Sequence, residues 1–102
     1  MKTHYLKTIQ PFFSEVLKGA KTFEYRRNDR DFQVGDEVYL QEYDLQKNTF
    51  SGQEVRGNIT YVLKDWKGLD ADYCVFSLQI TQHINCVVIS PPSYRPLSDP
   101  LK

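Results

Sequence analysis

Apolar and polar residues alternate along most of this chain, and the alternation predicts a largely β protein. Five segments follow the period of two that places successive side chains on opposite faces of a strand. They cover residues 3–9, 22–27, 37–43, 54–63 and 73–80, with a long hairpin connection at 44–53. The residues predicted to face the core include Val38, Leu40, Val55, Ile59, Tyr61 and Leu63.

One helix is predicted between the first two strands. Phe13, Val16 and Leu17 recur at helical spacing and form its buried stripe. Gln10-Pro11 opens the helix, because proline lacks the N–H that the first helical position leaves unpaired. Lys18-Gly19 ends it, because glycine takes the left-handed conformation after a last turn.

The order of these elements predicts the fold class. A strand, a helix and four further strands at short spacing indicate an α+β protein, mostly β with one or two helices, that forms a small closed or nearly closed β-barrel. The barrel domain is expected to span residues 1–80. Residues 81–102 contain a candidate further strand at 84–89 and an extended C-terminal tail with four prolines.

Length and composition limit the class of protein. A chain of 102 residues suits one domain. It lacks the run of roughly 18 apolar residues that spans a membrane and the apolar stretch of a signal peptide, so a cytoplasmic protein without a membrane partner is expected. Cys74 and Cys86 are too few for a disulfide framework and are predicted to be buried free thiols.

The charges are distributed unevenly although the net charge is zero. Residues 1–30 carry seven Lys or Arg against three acids, whereas residues 31–102 carry six against ten. This basic first third indicates a local anionic partner, although charges scattered over the folded surface would give the same count.

Metal and nucleotide-cofactor chemistry are not expected. Gly52 and Gly57 have the spacing of a phosphate-binding loop, but Asn58 stands where that loop requires lysine. The two histidines and two cysteines are isolated, whereas a metal site needs clustered ligands. The sequence therefore predicts no metal and no cofactor.

One motif remains after these exclusions. Residues 19–26 read Gly-Ala-Lys-Thr-Phe-Glu-Tyr-Arg and fit the pattern G-x-K-x-x-E-x-R. With the flanking segments at 4–7 and 26–36, the motif resembles the ASCH superfamily, a branch of the PUA-like barrels, and within it a bacterial and phage subfamily of unassigned function. The resemblance covers roughly residues 3–80.

The resemblance implies a five- or six-stranded barrel whose motif lies beside a cleft that binds RNA or a modified nucleoside. Some members are small amidohydrolases that act on N4-acylated cytidines with a lysine, a threonine and a glutamate. Their lysine corresponds to Lys21. Glu24 stands where they have threonine, so the nucleophile position is altered here.

Strand parity assigns roles within the motif. Phe23 and Tyr25 share one face of the second strand and are predicted to lie in the core, while Glu24 and Arg26 share the other face. Lys21, at the helix-to-strand turn, can reach a cleft with its ammonium group. Glu24 is placed to orient that group or accept a bond from a base, and Arg26 offers a planar fork for a phosphate or base edge. An ion-pair network that only braces the fold would use the same three residues.

Further nucleic-acid-binding candidates lie outside the motif. Arg27 and Arg30 are placed to contact phosphates, or equally to pair with acids of their own loop. His4 either lines the cleft or is a hydrogen-bonded structural histidine. Trp66 either stacks on a base or covers the barrel end. The pattern of the family that the chain resembles adds Glu42 as one more candidate.

Three functions remain open. The first is a binding module for RNA, in which a flipped or single-stranded base enters the cleft. The second is a small hydrolase, either amidohydrolase-like or a ribonuclease, with Lys21 and Glu24 as catalytic residues. The third is a structural or protein-interaction domain.

Overall fold

A computed structural model describes residues 1–85 of the chain. Within them the elements are β1 (Thr3–Thr8), α1 (Phe12–Leu17), β2 (Phe23–Arg27), β3 (Glu37–Asp44), β4 (Thr49–Lys64) and β5 (Tyr73–Asn85). The strands form a sheet in the order β1-β3-β4-β5-β2, with β1 parallel to β3 and the other pairs antiparallel. The described part of the chain is mostly β with one short helix, which confirms the predicted fold class.

The sheet curls into a half-barrel, and its edge strands β1 and β2 approach each other across a seam. Two arginines bridge this seam. Nη2 of Arg26 donates to the carbonyl of Lys7 over 2.9 Å, and Nη1 of Arg30 donates to the carbonyl of Tyr5 over 2.8 Å. Carbonyls of alternate residues point to the same side of a strand, so these two belong to the edge of β1 that faces away from β3. The arginines therefore satisfy acceptors that another strand would otherwise pair with.

The helix lies where the sequence places it. Phe13 and Val16 are buried, whereas Leu17, the third residue of the predicted stripe, is 39% exposed. Gly19 ends the helix in the left-handed region with φ +84°, and its N–H donates to the carbonyl of Val16 over 3.0 Å. This confirms the predicted glycine stop.

Among the described residues, one apolar cluster fills the inside of the curled sheet. Its buried members are Leu6, Phe13, Val16, Phe32, Val38, Leu40, Val55, Ile59, Cys74 and Phe76. Cys74 is a free thiol, as predicted, and burial raises its pKa, so it is protonated at neutral pH. Cys86 lies outside the described residues.

Tyr61 was predicted to face the core, and this prediction is wrong. The register between β4 and β5 shifts between Ile59 and Tyr61, which reverses the parity of the strand beyond that point. Tyr61 is therefore 63% exposed, and Val62 packs against the core instead.

Side chains alternate along the second strand as predicted, but the face predicted to be buried is the exposed one. Phe23 and Tyr25 are each 47% exposed, while Glu24 is buried at 3%. The predicted core position of the two aromatic residues is wrong. The charged face turns inward because Lys21 and Arg26 both bond to the buried carboxylate and so offset the cost of removing its charge from water.

Two strands are at least five residues longer than predicted. β4 already begins at Thr49, so the connection from β3 covers only residues 45–48. β5 continues past Ile80 to Asn85 by pairing with the first half of β4, although the added residues are mostly polar. Residues 84–85 of the candidate further strand belong to β5, whereas residues 86–89 and the predicted tail lie outside the described residues. Within residues 1–85 no helix is long and apolar enough to span a bilayer.

Candidate functional site

The structure brings the three charged residues of the motif together. Nζ of Lys21 lies 2.8 Å from Oε2 of Glu24 and also donates to the carbonyl of Phe23 over 2.7 Å. Nε of Arg26 donates to Oε1 of Glu24 over 3.0 Å. The Glu24 side chain is 3% exposed, against 17% for Lys21 and 27% for Arg26. We call Lys21, Glu24 and Arg26 the charged triad.

Local sequence fixes this arrangement. The left-handed turn at Gly19 redirects the chain from α1 toward β2. The N–H groups of Ala20 and Lys21 then both donate to the carbonyl of Glu15, over 3.0 and 3.1 Å, which holds the turn against the helix. Lys21 is thereby placed just ahead of the strand that carries the other two triad residues.

The charged triad lies in an open cavity of about 530 Å³, within the range of about 300–1,000 Å³ typical of ligand pockets. Its other lining residues are Lys7, Thr8, Ile9, Phe12, Phe23, Tyr25 and Leu45. Phe12, Phe23 and Tyr25 are each 47% exposed. The Lys21 ammonium lies 5.8 Å from the Phe12 ring centroid and 5.0 Å from that of Phe23. We call this cavity the triad groove.

The triad groove combines positive charge with exposed aromatic surface. Glu24 accepts bonds from both Lys21 and Arg26, so the triad as a whole carries one positive charge. Lys7 adds a further cation to the lining. Such a surface suits a planar ring that can lie on the aromatic side chains and that carries an acceptor or an anionic group.

A second cavity of about 460 Å³ adjoins the triad groove, because both are lined by Ile9 and Leu45. We call it the side groove. Its other lining residues are Gln10, Glu42, Tyr43, Asp44, Gln46, Lys47, Thr49 and Ser51. Across residues 1–85, no group of three or more His, Cys, Asp or Glu side chains is placed to hold a metal ion.

Residues 3–78 match a family model described as "Domain of unknown function (DUF3850)". This chain belongs to the DUF3850 family. The match includes every residue that lines the two grooves.

The chain is also similar to a protein of Escherichia phage P2 described as "Uncharacterized 12.9 kDa protein in GpA 3'region". The two are 37% identical over 67 residues, which are 64% of this chain and 60% of the phage protein. The aligned part thus spans less than two thirds of that relative.

In this DUF3850 member His4 lies away from the triad groove. It is 4% exposed, and its Nε2 lies 2.8 Å from Oδ2 of Asp36. Burial opposes ionisation of Asp36, but bonds from His4 and from the N–H groups of Lys2 and Gln33 outweigh it and hold its pKa below the ordinary value. His4 is thus a hydrogen-bonded histidine within the fold.

The remaining candidates also lie outside the lining of the triad groove. Arg27 is paired with Asp72 over 2.8 Å on the outer face of β2. Arg30 bridges the seam. Trp66 is 63% exposed in the connection between β4 and β5. The structure thus joins Lys21, Glu24 and Arg26 and places His4, Arg27, Arg30 and Trp66 elsewhere.

Two groove residues carry little sequence signal. Phe12 lies beside the predicted buried stripe of the helix rather than in it. A phenylalanine in that position indicates an exposed aromatic side chain, and this is the sequence signal that Phe12 carries. Leu45 follows β3 in a short connection, and nothing in the sequence predicts its position between the two grooves.

Proposed function

We propose that this protein binds single-stranded RNA, or a modified nucleoside, in the triad groove. The proposal rests on one observation, a charged triad that opens between exposed aromatic side chains. Stacking of a base on an aromatic ring is worth about 1–3 kcal/mol. Lys21 and Arg26 supply donors for the acceptor edge of a base or for a phosphate.

A comparison within the same sheet supports a ligand role for Lys21. Glu54 and Arg56 repeat the spacing of Glu24 and Arg26 on β4, with Nε of Arg56 2.6 Å from Oε2 of a carboxylate that is 4% exposed. Among residues 1–85, the ion pairs at Glu54 involve one cation, whereas those at Glu24 involve two. The second cation at Glu24 is Lys21, which lies in an open groove.

The shape of the triad groove favours a single base over a duplex. Sequence-specific RNA recognition mostly uses bases that are unstacked and held against aromatic side chains, because the edges of paired bases are poorly accessible in an RNA helix. The resemblance to the ASCH superfamily, which implies a cleft beside the same motif, supports the same ligand class.

A small amidohydrolase is a second candidate, favoured by the position of Thr8. Glu24 replaces the threonine of the amidohydrolase branch, but Thr8 is among the residues that line the groove. Its hydroxyl accepts from Nη2 of Arg26 over 3.5 Å. If the protein is a hydrolase, N4-acylated cytidines are cleaved by the wild type and not by Lys21→Ala. Complete recovery of the acylated nucleosides after incubation would exclude this activity.

Fluorescence anisotropy with a labelled single-stranded RNA tests binding. Lys21→Met is compared with Lys18→Met, because Lys18 also pairs with a glutamate three residues away but is 65% exposed and outside both grooves. A hydrogen bond to a charged group is worth about 1.5–3 kcal/mol, so Lys21→Met should weaken binding about tenfold or more. Lys18→Met should leave affinity nearly unchanged. Equal effects of the two variants would contradict the proposal.

A further inference from the structure

The side groove contains a carboxylate whose charge no described cation balances. Oε2 of Glu42 accepts from Nε2 of Gln10 over 2.6 Å. Its Oε1 accepts from Oγ of Ser51 over 2.7 Å and from Nε2 of Gln53 over 3.2 Å. All three donors are neutral. Within residues 1–85, Glu42 forms no ion pair with a lysine, arginine or histidine.

This distinguishes Glu42 from the two buried glutamates of the sheet. Glu24 is bonded to Lys21 and Arg26, and Glu54 is bonded to Arg56. The three neutral donors fix the position of the Glu42 carboxylate without cancelling its charge. A carboxylate has about four acceptor positions, so one remains for a donor from outside the protein.

The other charged groups of the side groove are less suited to that role. Asp44 uses Oδ1 to accept from the N–H groups of Gln46 and Lys47, over 2.9 and 3.1 Å, and so stabilises the turn after β3. Lys47 itself is exposed on that turn. Glu42 is therefore the fixed acceptor in this cavity.

The two grooves carry opposite charge. The lining of the triad groove has more positive than negative side chains, namely Lys7, Lys21 and Arg26 against Glu24. The lining of the side groove has more negative than positive ones, namely Glu42 and Asp44 against Lys47. Because the grooves share Ile9 and Leu45, one ligand can occupy both. Such a ligand has an acceptor-rich or anionic part on one side and a hydrogen-bond donor on the other.

We propose that Glu42 accepts a hydrogen bond from the exocyclic amino group of a base in the side groove, next to the nucleotide held in the triad groove. This inference rests on the proposed function and deepens it, since it makes the ligand a chain of nucleotides rather than a free nucleoside. Cytosine, adenine and guanine carry such an amino group, whereas uracil has carbonyl oxygens in its place. The one donor on the pairing edge of uracil, N3–H, lies between these two oxygens, which repel a carboxylate. Glu42 is thus a specificity-determining residue.

The test compares oligo(C), oligo(A) and oligo(U) of equal length with the full chain. The wild type should prefer oligo(C) and oligo(A) over oligo(U) by at least about fivefold, because oligo(U) lacks the base contact to Glu42. Glu42→Gln should bring this ratio close to one. The ratio is the readout because removing a negative charge strengthens RNA binding for every sequence. Asp44→Asn, the matched control in the same groove, should keep the preference.

The outcomes separate the two proposals. If the wild type binds none of the oligonucleotides, the proposed function fails. If it binds all three equally, or if a folded Glu42→Gln keeps the wild-type ratio, the role of Glu42 is wrong and binding in the triad groove stands. Should Glu42→Gln fail to fold, Ser51→Ala removes only one of the three donors. A lowered ratio in that variant then supports the inference, and an unchanged ratio overturns it.

Discussion

Arg26 and Arg27 are neighbours in β2 that point to opposite faces of the sheet, so their replacement by alanine tests which face is inside. Arg26 donates to the buried carboxylate of Glu24 and to the carbonyl of Lys7 across the seam. Arg27 pairs with Asp72 on the outer face, where the two side chains are 57% and 61% exposed.

The contacts of each arginine give the loss of stability expected when it is replaced by alanine. Arg26→Ala removes a hydrogen bond to a charged group, worth about 1.5–3 kcal/mol, and one to a backbone carbonyl, worth about 0.5–1.5 kcal/mol. The free energy of unfolding should therefore fall by about 2–4.5 kcal/mol. Arg27→Ala removes an exposed ion pair, which contributes about 0–1 kcal/mol because solvent screens it.

Urea unfolding followed by circular dichroism measures both variants against the wild type. The midpoint should fall clearly for Arg26→Ala and little for Arg27→Ala, with similar slopes for all three proteins. The assignment of the charged face of β2 to the inside of the half-barrel would be refuted if the two variants lost equal stability, or if Arg26→Ala lost less than about 1 kcal/mol.

Two further predictions concern the fold. The folded pKa of Asp36 lies below its ordinary value of 3.8, so its ionisation stabilises the fold above about pH 3.8 and this stabilisation is lost as the pH falls further. Asp36→Asn should lower the melting temperature at neutral pH and flatten its decline in acid, and an unchanged acid profile would contradict the role of the His4–Asp36 pair. A Cβ at Gly57 would lie 2.6 Å from the carbonyl oxygen of Gln79, a backbone atom of β5 that cannot move alone. Gly57→Ala should therefore cost about 1–3 kcal/mol in a thermal melt, and a melting temperature equal to that of the wild type would show that the strands separate easily.

The sequence predicts where the strands and the helix lie more reliably than it predicts which face of a strand is buried. Alternation shows that Phe23 and Tyr25 share a face of β2, but it does not show which face is buried. Apolar residues normally turn inward, and that preference is overcome here because Lys21 and Arg26 both pair with Glu24. Arg26 also donates to the carbonyl of Lys7 across the seam. Local periodicity does not contain such a tertiary contact.

Irregularities of the backbone limit prediction in the same way. The register shift after Ile59 exposes Tyr61, although the uninterrupted alternation of the sequence places both inside. The charged triad was predictable because its members are close in the sequence and share a motif. The walls of the triad groove come from β1, α1, β2 and the turn after β3, so Phe12 and Leu45 join it only through the fold.

Amide and side-chain NMR during titration with a single-stranded RNA would show whether RNA binds in the triad groove. The predicted result is that the largest shift changes fall on Phe12, Lys21, Phe23, Glu24 and Tyr25, while the His4–Asp36 pair is unaffected. Shift changes confined to Arg27, Arg30 and Trp66, or no changes at saturating RNA, would contradict binding in the triad groove.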